Sequence, residues 1–236
     1  REELDLARND KNLRAMVLRI SSPGGSVTAS DTLYHELKRF QQDTGLVMVA
    51  HIMDVGASGA YYAALAADAI MAQPTSVTGS IGVIMYRVDA TVLLQKIGIQ
   101  TTEISAGERK GLGSPFRPLS EDERRLYQGF LDTLYGRFTS LVMQERKLTP
   151  EQVRNVADGR IFTSGEAQEA GLIDGIGYLD DAVELAKKKA HIEQAKVVTY
   201  HRPGEYRANL YSRSVIDLDL VDFAEPGGKF LYLWWP

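Results

Sequence analysis

Cysteine is absent from the 236 residues, which excludes disulfides, a thiolate nucleophile and any metal site built on sulfur. That absence does not fix the compartment, since exported proteins also do without cysteine. Histidine is scarce as well. His35, His51, His191 and His201 stand in no H-E-x-x-H arrangement and in no cluster with metal-ligand spacing, so no metal is expected. Nor is a cofactor: SSPGG lacks the G-K-[ST] ending of a phosphate loop, and no G-x-G-x-x-G opens a helix. Positive charge is not in surplus. A formal net charge of -4 gives nucleic acid no reason to be a partner. No stretch approaches the apolar length of a membrane span, no signal-peptide pattern opens the chain, and no repeat recurs at a fixed period. What remains, at 44% hydrophobic and 25% charged residues, is a globular composition long enough to bury a sizeable core.

Taken in order, the chain alternates strand and helix. REELDLARND begins at Arg1 in the middle of an amphipathic helical pattern, as in a chain trimmed or processed from a longer one. Residues 15–20, AMVLRI, form a mostly buried strand, and SSPGG follows as a loop. From Thr28, the expected N-cap, to Gln42 the pattern is helical, with Leu33, Leu37 and Phe40 on one side. Strands are expected at 46–52, 69–72, 82–86, 99–104 and 196–200. Helices are expected at 89–97, over a long span from Ser120 (capping box with Glu123) to Lys147, after Thr149-Pro150, from Thr163 to Gly171, and at 178–190. Strand, crossover helix, strand argues for parallel pairing with helices packed on the sheet. The ending FLYLWWP is too apolar to stay in water and is expected to pack on its own domain or a neighbouring subunit.

The chemistry centres on DVGASGAYYAALAA, residues 54–67. Gly56, Ala57 and Gly59 leave little bulk around Ser58, so a strand-to-helix turn there presents the hydroxyl in a cleft beside backbone N–H groups. A serine is a poor nucleophile until a base takes its proton. A Ser-His-Asp triad stays open by chain order, yet no histidine falls in a loop like that of Ser58. The other candidate base is Lys110, at the centre of the glycine-rich loop SAGERKGLGSPFRP, residues 105–118. Lysine serves only when neutral, which requires desolvation or nearby positive charge. Spacing alone leaves open whether the two meet. The pair Glu121 and Asp122 reads as a charged first helical turn.

Five segments in order, LRISSPGGS, DVGASGAYYAALAAD, TSVTGSIGV, AGERKGLGSPFRPLSEDER and DGRIFTSGEAQEAGLIDGIGYLDDAV, resemble the signal peptide peptidase A, or protease IV, family of serine peptidases over roughly residues 1–190. The resemblance implies an α/β fold of the Clp protease/crotonase type, built from repeated ββα units with helices packed on the sheets. It implies Ser58 as nucleophile, Lys110 as general base and Ser80 as the serine that orients the lysine amine. The backbone N–H groups of Gly25 and Gly59 would form the oxyanion hole, and no cofactor is implied. Ser21 stands where many members have Asn. The function implied is a Ser/Lys endopeptidase acting on cleaved signal peptides and other small hydrophobic polypeptides. An acyl-CoA hydratase or isomerase of the same fold, or an inactive scaffold in membrane-protein quality control, are the alternatives. The expected setting is a cell membrane, reached through an anchor absent from this sequence, with the catalytic domain on the extracytoplasmic side. A homo-oligomeric ring or dome is expected, in which serine and lysine can come from adjacent protomers. Residues 1–200 are expected to form the peptidase domain, without its first strands, and 201–236 a C-terminal extension.

Overall fold

The structure, a computed structural model, describes residues 2–200 and 230–233. Helix α1 (Glu2–Asn9) leads into β1 (Ala15–Ser22), the short β2 (Gly24–Ser26), α2 (Val27–Thr44), β3 (Val47–Ala57) and α3 (Gly59–Ala64). Next come β4 (Ala69–Ala72), β5 (Val77–Gly79), β6 (Ile84–Met85), α4 (Thr91–Lys96) and the long α5 (Glu121–Arg146). The series closes with α6 (Pro150–Val156), β7 (Ile161–Thr163), α7 (Ser164–Glu169), β8 (Gly175–Ile176), α8 (Leu179–Lys189) and β9 (Phe230–Leu233).

Strand β3 is the axis of a six-stranded sheet. It runs parallel to β1 over residues 47–52, and its other edge takes β4 in parallel at 49–52 and then β5 at 55–57. Strand β8 extends the sheet beyond β4, and β7 adds the one antiparallel pairing, against β5. Residues along β3 alternate between two buried faces, as a parallel strand with helices on both sides requires. Ala50 and Ile52 pack with Tyr61, Leu65 and Phe138, whereas Val49 packs with Met71, Ala182 and Ala186 of α8. A clamp closes the lower edge: Arg146, at the end of α5, donates to both oxygens of Asp174 at 2.9 Å, and Asp174 also accepts from the Ile70 amide. A separate three-stranded sheet, β2-β9-β6, lies where β3 ends.

The caps at Ser120, Thr149 and Thr163 all form, each with its reciprocal partner three residues on. Four expectations need correction. Ser26, not Thr28, caps α2, its side chain accepting from the Ala29 amide, because β2 ends there. Residues 99–104 and 196–200 form no strands. Neither segment has a ladder to join, and Ile104 is 95% exposed. Tyr200 instead donates to Asp10 and packs near Leu37. The transmembrane part of the expected setting also needs correction: among the described residues no helix is long and apolar enough to cross a membrane. Helix α5 has the length but opens with three acids and carries arginines along its course. Residues 201–229 and 234–236, most of the expected C-terminal extension and His201, lie outside the described residues.

Candidate active site

Ser58 stands at the junction of β3 and α3 with φ 53° and ψ -117°, a backbone conformation that side chains resist. Its amide donates to the Gly79 carbonyl at 2.7 Å and its carbonyl accepts from the Tyr62 amide at 2.9 Å, so the chain is fixed on both sides of the turn. The side chain is buried, and among the described residues its hydroxyl makes no hydrogen bond. Ser80 occupies the matching position on the neighbouring strand: Ala57 pairs with Gly79, and Ser80, one residue on, has φ 49°. The Ser80 amide donates to the Arg160 carbonyl at 2.8 Å.

The glycines around Ser58 are needed for close approach. A Cβ on Gly59 would lie 2.2 Å from the Ser30 hydroxyl and 3.1 Å from the Gly25 amide nitrogen. A Cβ on Gly24, where φ is 110°, would meet the Gly59 amide nitrogen at 2.8 Å. Two backbone segments are therefore pressed together beside the serine, with the amides of Gly25 and Gly59 in the contact. From sequence Gly24 reads only as a loop glycine free to take conformations barred to other residues, which its φ of 110° bears out, and not as part of the site.

Lys110 lies elsewhere. Its loop is exposed, and among the described residues no hydrogen bond or ion pair holds its amine. It lines a surface cavity of about 450 Å³ with Thr101, Glu103, Phe116 and Arg117, none of them from the Ser58 turn. The loop is ordered from within. Arg87 donates to the carbonyls of Ser114 and Arg117, and Arg117 donates to the Gly111 carbonyl and to Glu123. The Arg117 guanidinium, with the Ser120 amide, holds the Glu123 carboxyl down to about 2. The structure thus sets Ser58, Ser80, Gly25 and Gly59 on adjoining backbone segments, whereas Lys110 is exposed and among the described residues bonds to none of them.

The histidines do not fill the gap. His51 is buried in β3 seven residues before Ser58, roughly 20 Å away at a strand's rise per residue. Burial pushes its imidazole down, against a hydrogen bond from Nε2 to the Gly177 carbonyl at 3.2 Å. His35 and His191 are exposed, on α2 and beyond α8. Among the described residues no group of acids and histidines is placed to hold a metal ion.

Aromatic residues form a wall that the sequence reading did not find. Tyr62, one turn beyond Ser58 on α3, donates to Asp31 at 2.6 Å, and Arg137 grips the same carboxylate. Burial works against that carboxylate's charge, yet the bonds from Tyr62 and Arg137 hold Asp31 below its ordinary value. Phe138 of α5 packs 5.0 Å from Tyr62 between ring centres.

The model of Peptidase family S49 matches residues 41–193, a span that holds the Ser58 turn and the Lys110 loop. The chain belongs to peptidase family S49. The five motifs therefore point to the right family, and the chain is a member of a family of hydrolytic enzymes. It is 37% identical over 199 residues to the chloroplastic serine protease SPPA of Arabidopsis thaliana, covering 84% of this chain and 29% of that one. It is 35% identical over 188 residues to Protease 4 of Salmonella typhi, covering 80% of this chain and 30% of that one. The chain thus spans under a third of the length of either relative. Among solved structures, a ClpP1 mutant from Listeria monocytogenes superposes with a TM-score of 0.50 at 18% identity, over 77% of this chain and 84% of that one. The fold of this family member is accordingly a ClpP-like α/β fold with a mixed sheet and packed helices.

Proposed function

We propose that the chain is a serine endopeptidase in which Ser58 is the nucleophile and Lys110 the general base, acting on cleaved signal peptides and other small hydrophobic polypeptides. The observation that carries this reading is a strained serine, its hydroxyl without a hydrogen bond among the described residues, set against two glycine backbones in a chain of peptidase family S49. The neutral amine of Lys110 takes the proton from Ser58 Oγ as that oxygen bonds to the substrate carbonyl carbon. The amides of Gly25 and Gly59 receive the charge that develops on the carbonyl oxygen. A fixed donor of this kind contributes about 10²–10³-fold in rate. Collapse breaks the C–N bond, the lysine returns the proton to the leaving amine, and water then hydrolyses the ester on Ser58 by the same steps. Ser80 orients the amine.

The position of Lys110 supports a shared site. An amine must be desolvated to act as a base, and the exposed loop of one chain offers no such shelter. The segment between β6 and α5 exposes Val88, Leu93, Ile97, Ile104 and Phe116, apolar surface that a second copy of the chain would cover. In this reading the homo-oligomer is a ring or dome, and each Ser58 meets the Lys110 of a neighbour. Extracytoplasmic placement, the division near residue 200 and the repeated ββα units of the fold go with this reading and rest on the family assignment. Mixing Ser58→Ala protomers with Lys110→Ala protomers tests it. Partial recovery of peptide hydrolysis, with subunit exchange verified by mass, is expected. No recovery in verified mixed assemblies would show that serine and lysine act within one chain.

A further inference from the structure

Ser30 lies inside α2, four residues beyond the cap Ser26, and is buried. Its hydroxyl donates to the Ser26 carbonyl at 3.0 Å. The helix has no need of that bond. Alanine is the better helix former, and a serine that bonds back to the carbonyl four residues earlier slightly weakens a helix. The same hydroxyl also bears on Gly59. Its oxygen fills the space in which a side chain at residue 59 would begin, 2.2 Å from the place of that Cβ. The Gly25 amide nitrogen stands 3.1 Å from the same point. Ser26, which takes the bond, follows Gly25 directly at the end of β2. One oxygen is thus tied to the strand that carries one proposed oxyanion donor and pressed on the residue that carries the other. Asp31, the next residue of α2, accepts from Tyr62 one turn along α3, so α2 is the surface on which the start of α3 is seated.

We infer that Ser30 is a positioning residue for the proposed hydrolysis: its hydroxyl oxygen, anchored on Ser26, sets the separation of the Gly25 and Gly59 amides and keeps the oxyanion hole at its working width. The inference rests on Ser58 being the nucleophile and on those two amides receiving the charge. Such donors are effective because they are in place before the charge develops. A misplacement of roughly 1 Å can cost about 10²-fold in rate. Without the oxygen, the β2 segment and the Gly59 turn are free to close on the vacated space. Ser30 acts through these two backbone segments and not on the substrate. Charge gathers on the carbonyl oxygen only in the transition state, so the loss falls on kcat and spares KM.

The test measures turnover of a fluorogenic peptide rich in alanine and leucine by the full chain and its variants. Ser30→Ala should lower kcat by about 30-fold and leave KM within about threefold. Ser30→Thr keeps an oxygen that bonds four residues back, and should retain at least about a third of kcat. Ser76→Ala is the matched control: Ser76 is also buried, and its hydroxyl donates to the Ile52 carbonyl, likewise at 3.0 Å. It should lower the melting temperature by a similar amount and leave kcat within about twofold. A readout without chemistry comes from chemical denaturation of Ser30→Ala, Gly59→Ala and the double variant. The shift in midpoint caused by Gly59→Ala should shrink by about half once the Ser30 oxygen is gone, because the hardest collision goes with it. Full kcat in Ser30→Ala, an equal fall of kcat in Ser76→Ala, or additive midpoint shifts would overturn the role of Ser30 and leave the peptidase standing. No turnover by the unaltered chain, together with no labelling of Ser58 by a fluorophosphonate, would instead overturn the peptidase reading and the role of Ser30 with it.

Discussion

The Ser58 turn and the Lys110 loop are built on opposite principles. Around Ser58 residues 56–66 are buried, the backbone is fixed by bonds to Gly79 and Tyr62, and a single added methyl group collides. Around Lys110 the chain is exposed, its order comes from Arg87 and Arg117 gripping carbonyls, and its apolar residues face outwards. One region is finished within the single chain, and the other, in the reading proposed above, is completed by a second copy. The difference teaches where the chemistry can fail: the first by local collision, the second by loss of whatever covers it.

Breaking the finished half should have the largest effect. Ser58→Ala should lower peptide turnover by about 10⁴-fold or more while thermal unfolding shows a folded chain, since the hydroxyl removed makes no hydrogen bond among the described residues. Turnover within tenfold of the unaltered chain would remove Ser58 from the mechanism.

The unfinished half should break through its surface. Leu93→Glu with Ile97→Glu places two charges on the exposed apolar side of α4, more than half exposed at both positions. Light scattering should show a shift to single-chain mass, and activity should fall by about 10²-fold. The melting temperature of the lone chain should barely move. An unchanged assembly would mean that a different face is covered.

Much of the contrast was legible in the residues. Ser120 with Glu123, and Thr163 with Glu166, announce helix starts because a cap is settled within four residues. Strand β3 and the turn at Ser58 were readable for the same reason, a run of small and branched side chains ending in glycines. Residues 99–104 misled because alternation describes a strand only if a partner strand exists. The aromatic cluster was hidden because Tyr62 and Tyr232 lie far apart in the chain, and no local pattern records that they stack. The separation of Lys110 from Ser58 was beyond reading too, since it depends on where a long loop folds.

A smaller effect sharpens the comparison at the far end of α5. Arg146→Ala should cost about 2 kcal/mol of folding stability, discounted because Asp174 is partly exposed, and should leave turnover per folded molecule unchanged. Burial opposes the charge of Asp174, but Arg146 and the Ile70 amide hold its carboxyl below 3.8. A carboxyl lowered by folding stabilises fully above its unfolded value, about 3.9, and loses that contribution as pH falls through the lowered value. The stability gap between the unaltered chain and Arg146→Ala, measured by chemical denaturation, should therefore be constant near neutrality and close below about pH 4. A gap that widened in acid would assign the clamp to something other than this ion pair.

Ser58 and Ser80 both sit at positive φ, one at the end of each of two neighbouring strands. Such a conformation costs on the order of 1–3 kcal/mol at a residue with a side chain, and glycine adopts it freely. Selection for heat resistance alone would therefore favour glycine at both positions, and each such gain would erase a proposed working group. A laboratory lineage screened only for survival after heating should become sturdier and inert together.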